Sequence, residues 1–320
     1  WTPALRDGGR RPVMVYIHGG AYSTGSGSSP LYDGARLCRR GDVVVVTLNH
    51  RLNLFGYGFL KRLAAGFEDS GNAGMLDLVL ALRWVRDNIA EFGGDPGRVM
   101  LFGQSGGGAK IATLMAMPAA RGLFHAAATM SGQQVTASGP LHATERMRLA
   151  LDAMGLTPER AGEAATLPPA RLLEALSLAD PHTPGRLYFG PVLDGRTLAR
   201  HPFYPDASPL GLSIPMIIGN THDETRAFLA HARPDPFTMG WDDVAGRIAP
   251  EMRVDIDPAL VVAEYRRLYP AYSPTEVFFA ATTAGRSWRG AVIEAEERAR
   301  AGAPAWVYQQ DLPTTIEGGR

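Results

Sequence analysis

Short, uninterrupted runs of apolar residues recur along the chain, and longer amphipathic stretches separate them. Continuous runs of Val, Ile and Leu, in place of an apolar–polar alternation, are typical of strands that a parallel sheet buries on both faces. The pattern therefore predicts six strands in a mostly parallel central sheet. The runs cover residues 13–17, 43–48, 99–102, 126–130, 214–218 and 305–308.

The clearest helix lies between the second and third predicted strands. Its apolar residues recur at helical spacing, while charged residues fall off that stripe. The stripe consists of Leu78, Leu82, Val85, Ile89 and Phe92. Gly93-Gly94 is expected to end the helix, and the strand–helix–strand order predicts an α/β fold.

Two segments, approximately residues 140–200 and 231–303, carry more charge and more helix-start signals than the rest. Thr157 and Asp257 each precede a proline, which is the arrangement expected at the N-terminus of a helix. We interpret both segments as helical insertions over the sheet. The whole of residues 1–320 is then expected to form a single domain.

Composition narrows the class of protein without identifying it. Lys plus Arg equals Asp plus Glu, 32 against 32, which gives no support for nucleic acid or an anionic membrane as a partner. No apolar run is long enough to span a bilayer. Cys38 is the only cysteine, so no intrachain disulfide can form. The compartment and the oligomeric state are not readable from the sequence.

A candidate nucleophile follows the third predicted strand. Gly103-Gln104-Ser105-Gly106-Gly107 lies between that strand and a helical run. This context predicts a nucleophile elbow, a strained turn that presents Ser105 at the edge of the sheet. A phosphate-binding loop is the rival interpretation, but the sequence lacks the Gly-Lys-Ser/Thr that such a loop requires.

A candidate oxyanion loop, His18-Gly19-Gly20-Ala21-Tyr22, follows the first predicted strand. Acyl transfer needs backbone N–H groups aimed at the developing alkoxide, and small residues let the backbone approach the substrate. We expect donors from Gly20 and Ala21, with a third from Gly106. His18 is interpreted as a structural residue that holds the loop.

A candidate acid follows the fifth predicted strand. Carboxylates at the carboxyl ends of strands lie where open α/β folds bind ligands. Glu224 is the first choice and Asp223 the rival. Metal binding by His222, Asp223 and Glu224 is disfavoured, because adjacent residues rarely converge on one ion. The base should follow the last strand, yet no histidine occurs after His231.

These motifs together resemble the type B carboxylesterases, most closely the bacterial members acting on p-nitrobenzyl and similar esters. The likeness covers essentially the whole chain and is tightest over residues 12–132. The matching text lies at residues 18–22, 30–34, 46–52, 71–77, 84–89, 92–96, 191–195 and 223–224.

The resemblance implies an α/β-hydrolase fold with a Ser-Glu-His triad in which Ser105 is the nucleophile and Glu224 the acid. Gly20, Ala21 and Gly106 fall on the family's oxyanion positions. Gln104 and Gly106 depart from the family's glutamate and alanine, and the uncharged Gln104 gives no reason to expect a preference for choline esters. Family chains are longer at both ends, so we expect this chain to be an internal fragment, with the triad histidine beyond Arg320.

The expected activity is hydrolysis of a small-molecule carboxylic ester through an acyl-enzyme, without a metal or cofactor. Two alternatives remain open at this point. The first is a truncated, catalytically inert fragment of such an esterase, and the second is a non-catalytic binding protein on the same fold. Reaction with a fluorophosphonate probe would distinguish an intact site from an inert one.

Overall fold

A single six-stranded sheet forms the centre of the molecule. The computed structural model describes residues 1–183, 185–252 and 255–315. All five strand pairings in this sheet are parallel, and the strand order is β2-β1-β3-β4-β5-β6. The strands are β1 (Arg11–Ile17), β2 (Val44–Thr47), β3 (Gly94–Gln104), β4 (Ala126–Met130), β5 (Met216–Thr221) and β6 (Ala305–Gln310).

Each strand contains or overlaps one of the six predicted apolar runs, which confirms the predicted parallel sheet. The main difference is at β3, which begins five residues before its apolar run. Its first residue, Gly94, pairs with Arg11 of β1, and a bulge follows before the regular register starts at Val13 and Val99. Polar residues at a bulged strand end carry no apolar signal, so the pattern detected only the regular part.

Eleven α-helices occur in the described part of the chain, together with shorter 3-10 segments and one π-helical turn. The α-helices are α1 (Ala35–Gly41), α2 (Asn53–Tyr57), α3 (Ala73–Asn88), α4 (Gly106–Leu114), α5 (Pro140–Ala153), α6 (Pro169–Ala175), α7 (Arg226–Leu229), α8 (Trp241–Ile248), α9 (Pro258–Leu268), α10 (Pro274–Thr283) and α11 (Arg289–Arg300). The π-helical turn, Ala284–Trp288, joins α10 to α11.

The predicted helix before β3 forms as α3 and buries its apolar stripe in the main core. It continues into a 3-10 turn that ends at Gly93, whose φ of 73° is left-handed as expected for a helix stop. Asp257 caps α9 by accepting a hydrogen bond from the N–H of Ala259. Thr157 makes no such cap, and the following segment, Pro158–Thr166, is a 3-10 helix.

The helices of the second predicted insertion, approximately residues 231–303, lie in two different surroundings. In the second segment, α8, α9 and α10 enclose a small core of their own around Val244, Val277 and Phe279. The last helix, α11, packs directly on β5 and β6. None of the helices in the described residues has the length and apolar character needed to cross a membrane.

The sheet reverses its winding direction between β1 and β3. From β1 the chain moves to β2 at one side, and it then crosses back to place β3 on the other side of β1. Open α/β sheets bind ligands at the carboxyl ends of the strands beside such a reversal. The loop after β1 and the turn after β3 are the two segments that border this crevice.

Candidate active site

Ser105 lies in the turn between β3 and α4, as predicted for a nucleophile elbow. Its φ of 55° and ψ of −126° are unusual for a residue with a side chain. The turn is held because the Ser105 N–H donates to the carbonyl of Met130 at 2.8 Å, and its carbonyl accepts from the N–H of Ala109 at 3.1 Å. Strain that neighbouring bonds maintain is typical of functional positions.

Two glycines allow the elbow to pack against the first strand. A Cβ at Gly107 would lie 2.0 Å from the carbonyl oxygen of Ile17, and one at Gly106 would lie 2.2 Å from the carbonyl oxygen of Ala21. Neither distance is compatible with a side chain. The glycines therefore let the N-terminus of α4 approach the loop that follows β1. The unpaired N–H groups and the positive dipole end of α4 lie at this N-terminus.

The predicted oxyanion loop follows β1 and runs beside the elbow. Gly20 and Ala21 both have left-handed backbone conformations, with φ of 85° and 52°. The site at Gly19 faces the Ser105 side chain, since a Cβ there would lie 3.4 Å from the Ser105 Cβ. The structure thus brings Ser105, Gly106 and the Gly20–Ala21 backbone together.

Hydrogen bonds orient the peptide groups of this loop. The Gly19 carbonyl accepts from Nδ1 of His18 at 2.9 Å, and the Gly20 carbonyl accepts from the N–H groups of Ser23 and Thr24 at 3.1 and 3.0 Å. In a trans peptide the carbonyl and the N–H point in opposite directions. Holding these two carbonyls therefore directs the N–H groups of Gly20 and Ala21 to the other side.

His18 is buried and lies inside the loop, with its ring centroid 4.6 Å from that of His50. Burial is the main cause that lowers the pKa of His18, and the nearby Lys110 charge lowers it further. A neutral imidazole with its proton on Nδ1 is the form that can donate to the Gly19 carbonyl. This arrangement fits the structural role that the sequence suggested.

Glu224 lies just beyond β5, in the turn that connects this strand to α7. Its Oε1 accepts hydrogen bonds from the Thr221 N–H at 2.8 Å and the Thr221 hydroxyl at 2.7 Å, and it also accepts one from the Ser131 hydroxyl. Within the described residues, the hydrogen bonds of this carboxylate all reach Oε1. None of these bonds from described residues reaches the other oxygen, Oε2.

Ser131 connects the carboxylate to the elbow, and sequence reasoning missed it. It follows β4, the strand between β3 and β5, and its φ is 52°. Its neighbour Gly132 packs so closely on Ser105 that a Cβ would lie 1.9 Å from the Ser105 carbonyl oxygen. A Ser-Gly pair directly after the fourth predicted strand is the only signal in the sequence, and the strand order of the structure is needed to place it beside the elbow.

Asp223, the rival acid, has different partners. Its carboxylate pairs with Arg226 at 3.0 Å and with Nδ1 of His222 at 2.9 Å. The His222 side chain is 51% exposed, as expected of a surface residue. His201 is half-buried, and its Nδ1 accepts from the N–H of Ala137 at 3.0 Å.

Lys110 is the second residue that sequence reasoning missed. It lies on α4 with no exposed surface, and its ammonium group contacts the oxyanion loop. A lysine among the small and apolar residues of a buried helix is itself a signal, because buried ammonium groups need nearby acceptors.

No group of three or more His, Cys, Asp or Glu residues is arranged to hold a metal ion in the part of the chain that the structure describes. The groups described above supply a hydroxyl group, a carboxylate and oriented backbone N–H groups at the site. These groups are the ones that serine-based acyl transfer uses, apart from a proton-transferring histidine.

The sequence matches the model of the carboxylesterase family over residues 1–248. It is 36% identical over 308 residues to the para-nitrobenzyl esterase of Bacillus subtilis, covering 94% of this chain and 59% of that protein. It is 40% identical over 233 residues to the phenmedipham hydrolase of Pseudarthrobacter oxydans, covering 70% of this chain and 44% of that protein.

Among solved structures, the fold is similar to the carboxylesterase EST55 of Geobacillus stearothermophilus. The TM-score is 0.85 at 36% identity, with 99% of this chain and 65% of that chain covered. The chain thus spans less than two thirds of the length of these relatives. The family model, the relatives and the shared fold agree, and the chain belongs to the carboxylesterase family.

Proposed function

We propose that the protein hydrolyses small-molecule carboxylic esters with Ser105 as the nucleophile. The observation that carries the proposal is the meeting of the elbow and the glycine loop at the point where the sheet reverses its winding. One segment brings a hydroxyl group, and the other brings N–H groups for a developing negative charge. This combination suits acyl transfer better than simple binding.

In the proposed reaction, the Ser105 oxygen attacks the carbonyl carbon of the ester while its proton passes to a histidine. The negative charge on the former carbonyl oxygen is stabilised by the N–H groups of Gly20, Ala21 and Gly106. Collapse of this intermediate expels the alcohol, which takes up the proton, and leaves an acyl-enzyme. Water then attacks the acyl-enzyme by the same route and releases the acid.

Glu224 is proposed to orient that histidine and to stabilise its charged form. Adjacent strands lie about 4.8 Å apart, so the ends of β3 and β5 are separated by about 10 Å. A histidine ring between them can accept a proton from Ser105 and donate its other N–H to Oε2 of Glu224. We propose that this histidine belongs to the part of the family's length that residues 1–320 do not span.

The substrate proposed is a carboxylic ester, and no metal or cofactor enters the reaction. The para-nitrobenzyl esterase and the phenmedipham hydrolase are relatives with different named substrates. The name of the first supports the ester-hydrolase class, and the acyl and alcohol groups of this protein's substrate are left to experiment. We also infer that residues 1–320 form one catalytic domain, because α11 packs on the same sheet that carries the site.

The test is made in the full-length protein with a p-nitrophenyl ester and a fluorophosphonate probe. Ser105→Ala is expected to abolish labelling and to lower kcat by about 10⁴-fold or more, since it removes the attacking oxygen. Ser177→Ala, at an exposed site, serves as the matched control and should retain both activities. Esterase turnover that survives Ser105→Ala would refute the proposal, and a folded wild type that neither labels nor turns over would favour a binding protein.

A further inference from the structure

Lys110 is a buried lysine next to the oxyanion loop, and the proposed chemistry does not use it. The side chain has no exposed surface. Its Nζ donates to the carbonyl of Ala21 at 2.7 Å and to the carbonyl of His18 at 3.2 Å. It also lies 5.4 Å from the centroid of the Tyr22 ring. All of these partners belong to the loop after β1.

The two hydrogen bonds from Lys110 hold the peptide groups of the loop that have no other partner named above. The two central peptide groups, whose N–H groups belong to Gly20 and Ala21, are already held through the carbonyls of Gly19 and Gly20. Lys110 holds the carbonyls of His18 and Ala21, which are the peptide groups immediately before and after them. Four consecutive peptide groups therefore have their carbonyls bound, and one side chain supplies the two outer bonds.

We propose that Lys110 is the positioning residue of the oxyanion loop, which its ammonium group clamps at both ends to direct the N–H groups of Gly20 and Ala21. The inference rests on the proposed function, because it assigns a role within that site. Ala21 adopts a left-handed conformation that a non-glycine residue rarely takes. The bond from Lys110 to the Ala21 carbonyl is a direct means of maintaining that conformation.

The contacts assign Lys110 to positioning and not to proton transfer. Among the described residues, its hydrogen bonds reach two carbonyl oxygens of the loop and not the hydroxyl of Ser105. Lys110 therefore acts on the substrate only through the backbone that it holds.

The test compares the full-length wild type with Lys110→Met, whose unbranched side chain is one bond shorter and has no hydrogen-bond donor. We expect kcat for a p-nitrophenyl ester to fall about 100-fold with KM changed less than about threefold, since the bonds lost act on the transition state. Amide hydrogen exchange over residues 18–24 should accelerate about tenfold or more, while exchange in β3 and β4 stays unchanged. Ile111→Val, on the same buried helix, is the matched control.

Unchanged kcat, or unchanged loop exchange, in Lys110→Met would overturn the inference. If that variant does not fold, Lys110→Gln, whose amide is one bond shorter, replaces it with the same expectations in smaller measure. A wild type that neither turns over esters nor reacts with a fluorophosphonate would instead reject the proposed function. In that event, loop exchange still decides whether Lys110 holds the loop.

Discussion

The buried Lys110 should make the stability of the protein depend on pH in a way that one substitution removes. In the folded chain, burial lowers the pKa of Lys110 from 10.5 to about 7. In the unfolded chain the side chain regains its ordinary pKa. Between these two values the unfolded chain binds more protons, so the free energy of unfolding rises with pH across this window. Below about pH 7, the folded state bears the full cost of the buried charge.

The size of the effect follows from the difference between the two pKa values. A tenfold change in proton affinity corresponds to about 1.4 kcal/mol, so the full cost of the buried charge is about 5 kcal/mol. Lys110→Met removes this cost but leaves two carbonyls without a donor, at about 1–3 kcal/mol each. The two effects largely cancel near neutral pH. The two effects can be distinguished by their pH dependence, because the cost of the buried charge changes with pH while the cost of the unpaired carbonyls changes little.

The assay is urea unfolding of the wild type and Lys110→Met, followed by tryptophan fluorescence at several pH values. The stability of the wild type relative to the variant should rise by about 2.5 kcal/mol from about pH 7.5 to about pH 9.5. A relative stability that stays constant within about 0.5 kcal/mol across that range would refute the account of Lys110 as a buried titrating group.

The neighbouring titratable groups do not reproduce this signal. Burial and the Lys110 charge lower the pKa of His50 to about 4 and lower that of His18, so removing the charge returns both only toward their ordinary value, below the window. Burial raises the pKa of Tyr22 well above the window. Burial also raises the pKa of Glu294 to about 8, but this carboxyl group is present in both proteins.

Two further predictions concern the acid and the elbow. Glu224→Gln should lower kcat by about 10³–10⁴-fold with little effect on KM, while Asp223→Asn should change kcat less than about threefold; equal losses in ester hydrolysis would contradict the assignment of the acid. Gly107→Ala should prevent folding or lower the melting temperature by more than about 10 °C, because the added methyl group meets the β1 backbone. Gly246→Ala, at an open helical site, should be neutral or stabilising by up to about 1 kcal/mol.

The sequence predicts the sheet well because buried parallel strands leave continuous apolar runs. The run at residues 126–130 coincides with the whole of β4. Strand ends are less predictable, since positions without an apolar side chain, such as Gly94 of β3, join the sheet through backbone pairing alone. The proline-led segment after Thr157 became a 3-10 helix, and Gly162 in its interior is a weak helix former that favours this outcome.

The candidate site also contains residues that the sequence predicts and residues that it does not. Ser105 and the glycine loop can be predicted because their chemistry and their strain require particular residues at adjacent positions. Ser131 and Lys110 cannot be found by spacing, because each acts on a residue that is distant in sequence and is brought close only by the sheet. Their roles depend on strand order, which the apolar pattern does not specify.

The parts of this site are attached to the ends of β1, β3 and β5, strands that lie far apart along the chain. No single segment of the chain contains all of these parts, so the site cannot form before the strands have paired in their final order. Long-range pairings of this kind are expected to form slowly, because chain entropy is lost before any contact compensates for it. Reactivity at the serine should consequently appear late during refolding and report that the sheet is complete.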